Sequence, residues 1–244
     1  MNQTVESLPV PDIRYLRFKG GAMYYDAACI ASADASVLLP NAGRYTAQPV
    51  DEGGRQAAWF VQADFGQAVL RHYRRGGWIA RFTSNRYLWT GERKTRSFAE
   101  FRLLQFMYSR GLAVPRPLAA GYWRRGAGYR AALLTRRLAN TRALAGVLNE
   151  GHQAAVALAL FRLHEEGVWH ADLNAYNILL NTDGKAWLID FDKSEIRALT
   201  PELRRANLLR LRRSLVKVAG DAGLAWWMEL ERLYDQLERA RGHL

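Results

Sequence analysis

The chain has 244 residues, 49% of them hydrophobic and 24% charged, which excludes a disordered or fibrous protein and allows one large domain or two small lobes around a shared cleft. The net charge of +12 favours polyanionic partners, and the lone cysteine, Cys29, excludes an intrachain disulfide. Residues 1–6 carry no basic segment and the longest clean apolar run, 154–161, is far short of a span, so neither a signal peptide nor a spanning helix is expected.

Residues 1–58 show no clear period and are broken at Gly20-Gly21, Pro40-Asn41 and Gly53-Gly54, so they read as irregular. Residues 57–63 read as a strand, 64–67 as a turn and 68–73 as the returning strand. Between residues 74 and 91, Trp78, Phe82, Tyr87 and Trp89 alternate with arginines. Residues 97–111 read as a helix with Phe98, Phe101, Leu104 and Met107/Tyr108 on its apolar stripe and Gly111 as its stop. Pro115 and Pro117 prevent its continuation. Residues 118–123 and 129–135 form a second strand pair around Arg124-Arg125-Gly126. A helix covers about 152–166, and two short strands, 178–180 and 186–189, flank the turn Asn181-Thr182-Asp183-Gly184. Thr200-Pro201-Glu202 supplies an N-cap, a first-turn proline and an early acid, and two helices then fill the C-terminal part. Strands first and helices last predict an α+β chain with two lobes.

Chemistry concentrates where the strands give way to the helices. His170-Ala171-Asp172-Leu173-Asn174-Ala175-Tyr176-Asn177 is followed by Asp190-Phe191-Asp192 after an apolar run. Phosphoryl transfer needs such groups: a carboxylate to orient the attacking hydroxyl, and oxygen ligands to hold Mg²⁺ on the nucleotide phosphates. The first stretch resembles the kinase catalytic loop H-R-D-L-x-x-x-N, and the second resembles D-F-G. The resemblance implies a bilobal protein-kinase-like fold, with a strand-rich N-lobe over 1–135 and a helical C-lobe over 136–244. It makes Asp172 the catalytic base, Asn177 and Asp190 the Mg²⁺ ligands, and ATP the phosphate donor. His170 reads as a brace for the loop rather than a metal ligand, since no second histidine lies at ligand spacing.

In the N-lobe, Ala68-Val69-Leu70-Arg71 resembles V-A-I-K with arginine in the lysine position. Arg71 is expected to bridge nucleotide phosphates and a helix carboxylate, best supplied by Glu100; a planar guanidinium is a different tool from an ammonium. Gly53-Gly54-Arg55 reads either as a shortened phosphate-binding loop or as a plain turn. Residues 133–138 hold the adenine-side hinge by position. Helix signals at Thr200 arrive eight residues after Asp192, so no long activation segment fits, and a small-molecule or glycolipid hydroxyl suits better than a peptide acceptor.

The stretches 68–77, 86–91 (RYLWTG), 101–104, 114–117 (VPRP) and 169–179 together resemble the 3-deoxy-D-manno-octulosonic acid (Kdo) kinases of lipopolysaccharide core assembly. That resemblance implies phosphorylation of a Kdo hydroxyl, O4, on a lipid A precursor at the cytoplasmic face of the bacterial inner membrane. Other readings are a heptose- or aminoglycoside-type kinase and a non-catalytic anion- or RNA-binding module; the intact Asp172, Asn177 and Asp190 speak against a dead fold, and no nucleic acid partner is expected. Two basic segments, 71–96 and 197–217, account for the whole excess charge. Each reads as a solvated surface or as a binder of polyanions such as anionic lipid. On the helix from Pro201, Leu208, Leu211, Leu215 and Val218 share one face, with Arg210, Arg213 and Lys217 roughly opposite.

Overall fold

The computed structural model describes residues 9–40, 42–50, 58–73 and 87–241. Gly53, Gly54 and Arg55, and the arginine- and tryptophan-bearing run 74–86, lie outside the described residues. The chain divides into two compact units. One holds the described residues up to Phe101 together with Pro117–Arg137; the other holds Arg102–Arg116 and the chain from Leu138 onward.

The first unit is an antiparallel sheet of β1 (Ile13–Phe18), β2 (Gly21–Asp26), β3 (Thr46–Pro49), β4 (Ala58–Ala63), β5 (Gly66–His72), β6 (Tyr87–Leu88), β7 (Pro117–Arg125) and β8 (Gly128–Arg136). The strands run in the order β1-β2-β7-β8-β5-β4-β3, and β6 pairs with β8. The two-residue period of the strands sorts their side chains. Met23, Val61, Ala68, Leu70, Ala132 and Leu134 form one buried face with Ile30, Val37 and Leu38. Tyr24 and Tyr122 take the other face and meet Phe98 of helix α1 (Arg96–Ser109) at ring distances of 4.4 and 5.3 Å. The helix buries the expected stripe, with Phe98, Phe101, Leu104 and Met107 at most 2% exposed. Each such side chain contributes roughly 1.5–3 kcal/mol. The helix ends where Gly111 takes φ +71, and Leu112 N–H donates to Met107 O at 3.1 Å. This closure satisfies a carbonyl that the helix would otherwise leave open.

The structure corrects the irregular reading of residues 1–58. β1 and β2 form a hairpin in register from Ile13–Asp26 to Phe18–Gly21, and β3 pairs with β4. The hairpin turns at Lys19-Gly20, with Gly20 at φ +83, and Gly21 opens β2. A Cβ on Gly21 would lie 2.0 Å from Tyr122 O, so β2 can approach β7 only with glycine there. β1 escaped detection because it is an edge strand: Arg14 and Arg17 lie exposed and Leu16 is only half-buried, which blurs the alternation. Cys29 is half-buried, with Arg136 Nη2 at 3.7 Å from Sγ.

The second unit carries β9 (Thr141–Ala143), helix α2 (Gln153–Glu165), β10 (Val168–Trp169), β11 (Ile178–Asn181), β12 (Ala186–Leu188), β13 (Glu195–Ile196) and helix α3 (Pro201–Arg241). β11 pairs with β9 and β12, and β10 pairs with β13. α3 is two arms joined at Gly220 (φ 55, ψ −129), in agreement with the two helices expected. The arms fold back on each other: a Cβ on Gly223 would lie 2.1 Å from Leu215 O. Arg212 covers the Trp227 ring at 5.2 Å, and Arg204 reaches Glu238 at 3.5 Å. Among the described residues no helix is long and apolar enough to cross a membrane.

Candidate active site

In the first unit, β5 is hydrogen-bonded between β4 and β8, with Arg71 opposite Ala58 and Leu133. Leu70 faces the apolar cluster, so its neighbour Arg71 faces α1. Arg71 Nη2 lies 2.5 Å from Glu100 Oε2, and the Tyr73 hydroxyl donates to the same oxygen at 2.5 Å. Glu100 is only 4% exposed, and these donors offset part of the cost of burying its carboxylate. The Arg71 guanidinium also lies 4.7 Å over the Tyr73 ring. Tyr73 is a member of this cluster that the sequence did not reveal, although its position two residues after Arg71 places it on the same strand face.

In the second unit, the loop between β10 and β11 carries Asp172 and Asn177. Its shape is held by its own polar groups. Asn177 Nδ2 donates to Asp172 O at 2.8 Å, and Asn174 Nδ2 to the same oxygen at 3.0 Å. Asn174 Oδ1 accepts from Tyr176 N and Asn177 N at 2.9 and 3.2 Å. Leu173 and Ala175 are fully buried beneath the loop, while Asp172 remains exposed. Ile189 N donates to Asn177 O at 3.0 Å, which seats the end of β12 beside the loop one residue before Asp190. Asp190 takes φ +60, in the left-handed region that non-glycine residues enter rarely.

His170 is fully buried and uses both ring nitrogens. Nε2 donates to Ile189 O at 3.0 Å, and Nδ1 accepts from Asp172 N at 3.2 Å. It therefore joins the Asp172 and Asp190 segments, as a brace should. Burial holds its pKa below the ordinary value; the Ile189 contact, Asp190 and Asp172 oppose that shift, and the Arg210 charge adds to it. The Phe191 ring packs 4.6 Å from the imidazole.

The loop stands on α3. Asn207, fully buried, donates through Nδ2 to His170 O at 2.7 Å, and its Oδ1 accepts from His170 N at 3.4 Å. The same oxygen accepts from His164 Nε2 at 3.1 Å, and the Tyr234 hydroxyl donates to His164 Nδ1 at 2.7 Å. Burial pushes the His164 pKa down to about 4, so it is neutral at pH 7. Ser214 Oγ accepts from Ala175 N, and Ser194 Oγ from Ala171 N, each at 3.0 Å. Sequence reading missed Asn207 and Ser214. The available signal was two small polar residues two helical turns apart beside a leucine stripe. Leu208, Leu211 and Leu215 are buried as expected, but Arg210 is half-buried and its charge reaches His170, so it does not share the outer face of exposed Arg213 and Lys217.

The donor set suits a hard cation held chiefly by a nucleotide. Among the described residues no cluster of three or more His, Cys, Asp or Glu side chains forms a self-sufficient metal cage. Mg²⁺ is ordinarily bound by one or two protein oxygens plus phosphates and water. Asn177 spends its amide N–H on Asp172 O, which assigns its Oδ1 to the acceptor role a cation requires.

Sequence comparison identifies the family. The model of the lipopolysaccharide kinase (Kdo/WaaP) family matches residues 43–234. A 3-deoxy-D-manno-octulosonic acid kinase of Xanthomonas campestris pv. campestris (strain B100) is 47% identical over 224 residues, covering 90% of this chain and 89% of its own. The protein of the same name from Xanthomonas euvesicatoria pv. vesicatoria (strain 85-10) is 48% identical over the same shares. That from Xylella fastidiosa (strain M12) is 46% identical over 218 residues, 87% of this chain and 88% of its own.

Proposed function

Because the chain belongs to the lipopolysaccharide kinase (Kdo/WaaP) family, a group of phosphotransferases acting on hydroxyl groups, we propose that it transfers the γ-phosphoryl of ATP to a Kdo hydroxyl, O4, of a Kdo–lipid A precursor. The observation that carries this reading is the braced loop: one buried imidazole bonds both the Asp172 amide and the Ile189 carbonyl, next to Asp190. In this reading the exposed Asp172 carboxylate accepts the proton of the acceptor hydroxyl, help typically worth ~10²–10⁴ in rate. Asn177 Oδ1 and the Asp190 carboxylate hold Mg²⁺, which neutralises charge on the nucleotide phosphates. Arg71, held by Glu100 and Tyr73, holds the phosphate chain.

The acceptor is an anionic glycolipid, and the exposed cations of α3 suit a charged leaflet. We assign the protein to the cytoplasmic face of the inner membrane as a peripheral protein on that ground. The test is phosphate transfer from Mg-ATP to Kdo–lipid A, to a heptosylated acceptor without accessible Kdo, and to RNA. Site mapping of the product by ³¹P–¹H NMR should place the phosphate on O4 of Kdo. Turnover with the heptosylated acceptor alone would replace Kdo by heptose as the substrate. RNA binding without any ATP consumption would overturn the enzymatic reading.

A further inference from the structure

The face that α3 turns toward the catalytic loop contains one cation that the reading above does not use. Asn207 bonds His170 and Ser214 bonds Ala175, so these two residues mark the helix face beneath the Asp172 loop. They are seven residues apart, which returns the helix to within about 20° of the same direction. Arg210 lies between them, about 60° round from Asn207, at the flank where that face meets solvent. It is half-buried, and its positive charge acts on the His170 imidazole, whose neighbours along the loop include exposed Asp172.

Among the described residues the Arg210 guanidinium has no hydrogen bond or ion pair. Its helix neighbours differ: Arg204 holds Glu165 at 2.7 Å, Arg205 holds Glu231, and Arg212 lies over Trp227 at 5.2 Å. A guanidinium brings five N–H donors and a permanent charge, and partial burial strengthens its attraction for an anion. The acids whose charges act with it on the His170 imidazole are Asp172 and Asp190, whose proposed roles are toward the hydroxyl and the cation.

We propose that Arg210 is an acceptor-binding residue that takes the carboxylate of the octulosonic acid sugar and so sets which hydroxyl faces Asp172. This rests on the Kdo kinase reading. A fork–carboxylate contact fixes orientation as well as affinity, because two parallel N–H···O bonds hold a planar group in one pose. An acceptor whose ring is pinned at its acid presents a defined hydroxyl to the base, and a neutral sugar of similar size is discriminated against.

The test compares wild type, Arg210→Gln and Arg210→Lys with two acceptors, the Kdo glycolipid and its carboxamide analogue. Wild-type turnover with the acid acceptor is established first; its absence would refute the kinase reading itself rather than the role of Arg210. With turnover in place, Arg210→Gln should raise the acceptor KM about 10- to 100-fold, the range for one charge-assisted contact. The KM for ATP should stay within about twofold, and Arg210→Lys should recover part of the loss. Wild type should lose a similar factor on the carboxamide, and Arg210→Gln should no longer distinguish the two acceptors. A fall in kcat of equal size for both acceptors would overturn the proposal and move Arg210 to the transferred phosphoryl group. Unchanged kinetics would also overturn it. A lowered melting temperature with parallel loss of both KM values would reassign Arg210 to structure.

Discussion

Replacing Asn207 with alanine should damage the active site from a distance, by removing the support under His170. The amide lies fully buried and bonds His170 O at 2.7 Å and His164 Nε2 at 3.1 Å. Alanine leaves a carbonyl and an imidazole N–H without partners, and each such orphan costs about 1–3 kcal/mol. A loss of about 3 kcal/mol follows if a water enters and repairs part of it. At about 2–4 °C per kcal/mol for a chain of this size, the melting temperature should fall by roughly 6–12 °C. Below that transition, kcat should still fall about tenfold, because small misplacements of a reacting group are expensive. Asn207→Asp separates the two bonds: its oxygen still accepts from His164, but nothing donates to His170 O, so its loss should be intermediate. Calorimetry and steady-state turnover on the three proteins decide the matter. A melting temperature within about 1 °C of wild type for Asn207→Ala would refute the reasoning.

Asp172→Asn should fold and bind Mg-nucleotide like wild type yet lose about 10²-fold or more in turnover, since an amide keeps the shape and cannot take the proton; wild-type turnover in the purified variant would end that role. Asp190→Asn should instead weaken Mg²⁺-dependent nucleotide binding, and equal binding defects in the two variants would contradict the division of labour. Acid should unfold the protein partly through His164. Its folded pKa is depressed to about 4 from an ordinary 6.5, so the unfolded chain binds the extra proton between those values. Stability is therefore whole above about pH 6.5 and is lost as pH falls toward 4, by roughly 3 kcal/mol at 1.36 kcal/mol per unit. Urea midpoints of wild type and His164→Gln should converge at low pH, and parallel curves from pH 7.5 to 4.5 would contradict this. Replacing the exposed Arg213 and Lys217 with Gln should weaken binding to anionic vesicles by about 2 kcal/mol at low salt. The difference should vanish near 1 M salt, where the Debye length is about 3 Å. Unchanged low-salt binding would leave these residues as ordinary solvated cations.

The parts of the molecule legible in sequence are those whose signal is local. The stripe of Phe98, Phe101, Leu104 and Met107 has helical period and ends on Gly111, and its burial needed no knowledge of partners. The loop from His170 to Asn177 was legible because phosphoryl transfer demands particular atoms at particular spacing. The β1–β2 hairpin was not, because an edge strand that keeps Arg14 and Arg17 in water has no clean alternation. Nor were Tyr73 on Glu100, or Asn207 and Ser214 under the loop. Their importance arises only when segments distant in sequence meet, and one polar residue on a helix does not announce its partner. Arg210 was misread for a related reason: a helical wheel gives direction, but burial depends on what packs against the flank.

The fold-back of α3 at Gly220 also has a consequence in time. The bond from the Tyr234 hydroxyl to His164 closes a chain of contacts whose other end is the backbone of His170. Tyr234 is made after every other member of that chain. A nascent polypeptide that has already emitted Asp172, Asn177 and Asp190 still lacks the second arm of the hairpin that steadies them. Domains fold as units while synthesis proceeds at about 5–20 residues per second, so competence should appear late and abruptly rather than grow with length. C-terminal truncations ending on either side of Tyr234 would show the step, which makes the last arm of the helix a timer on when the enzyme first becomes competent.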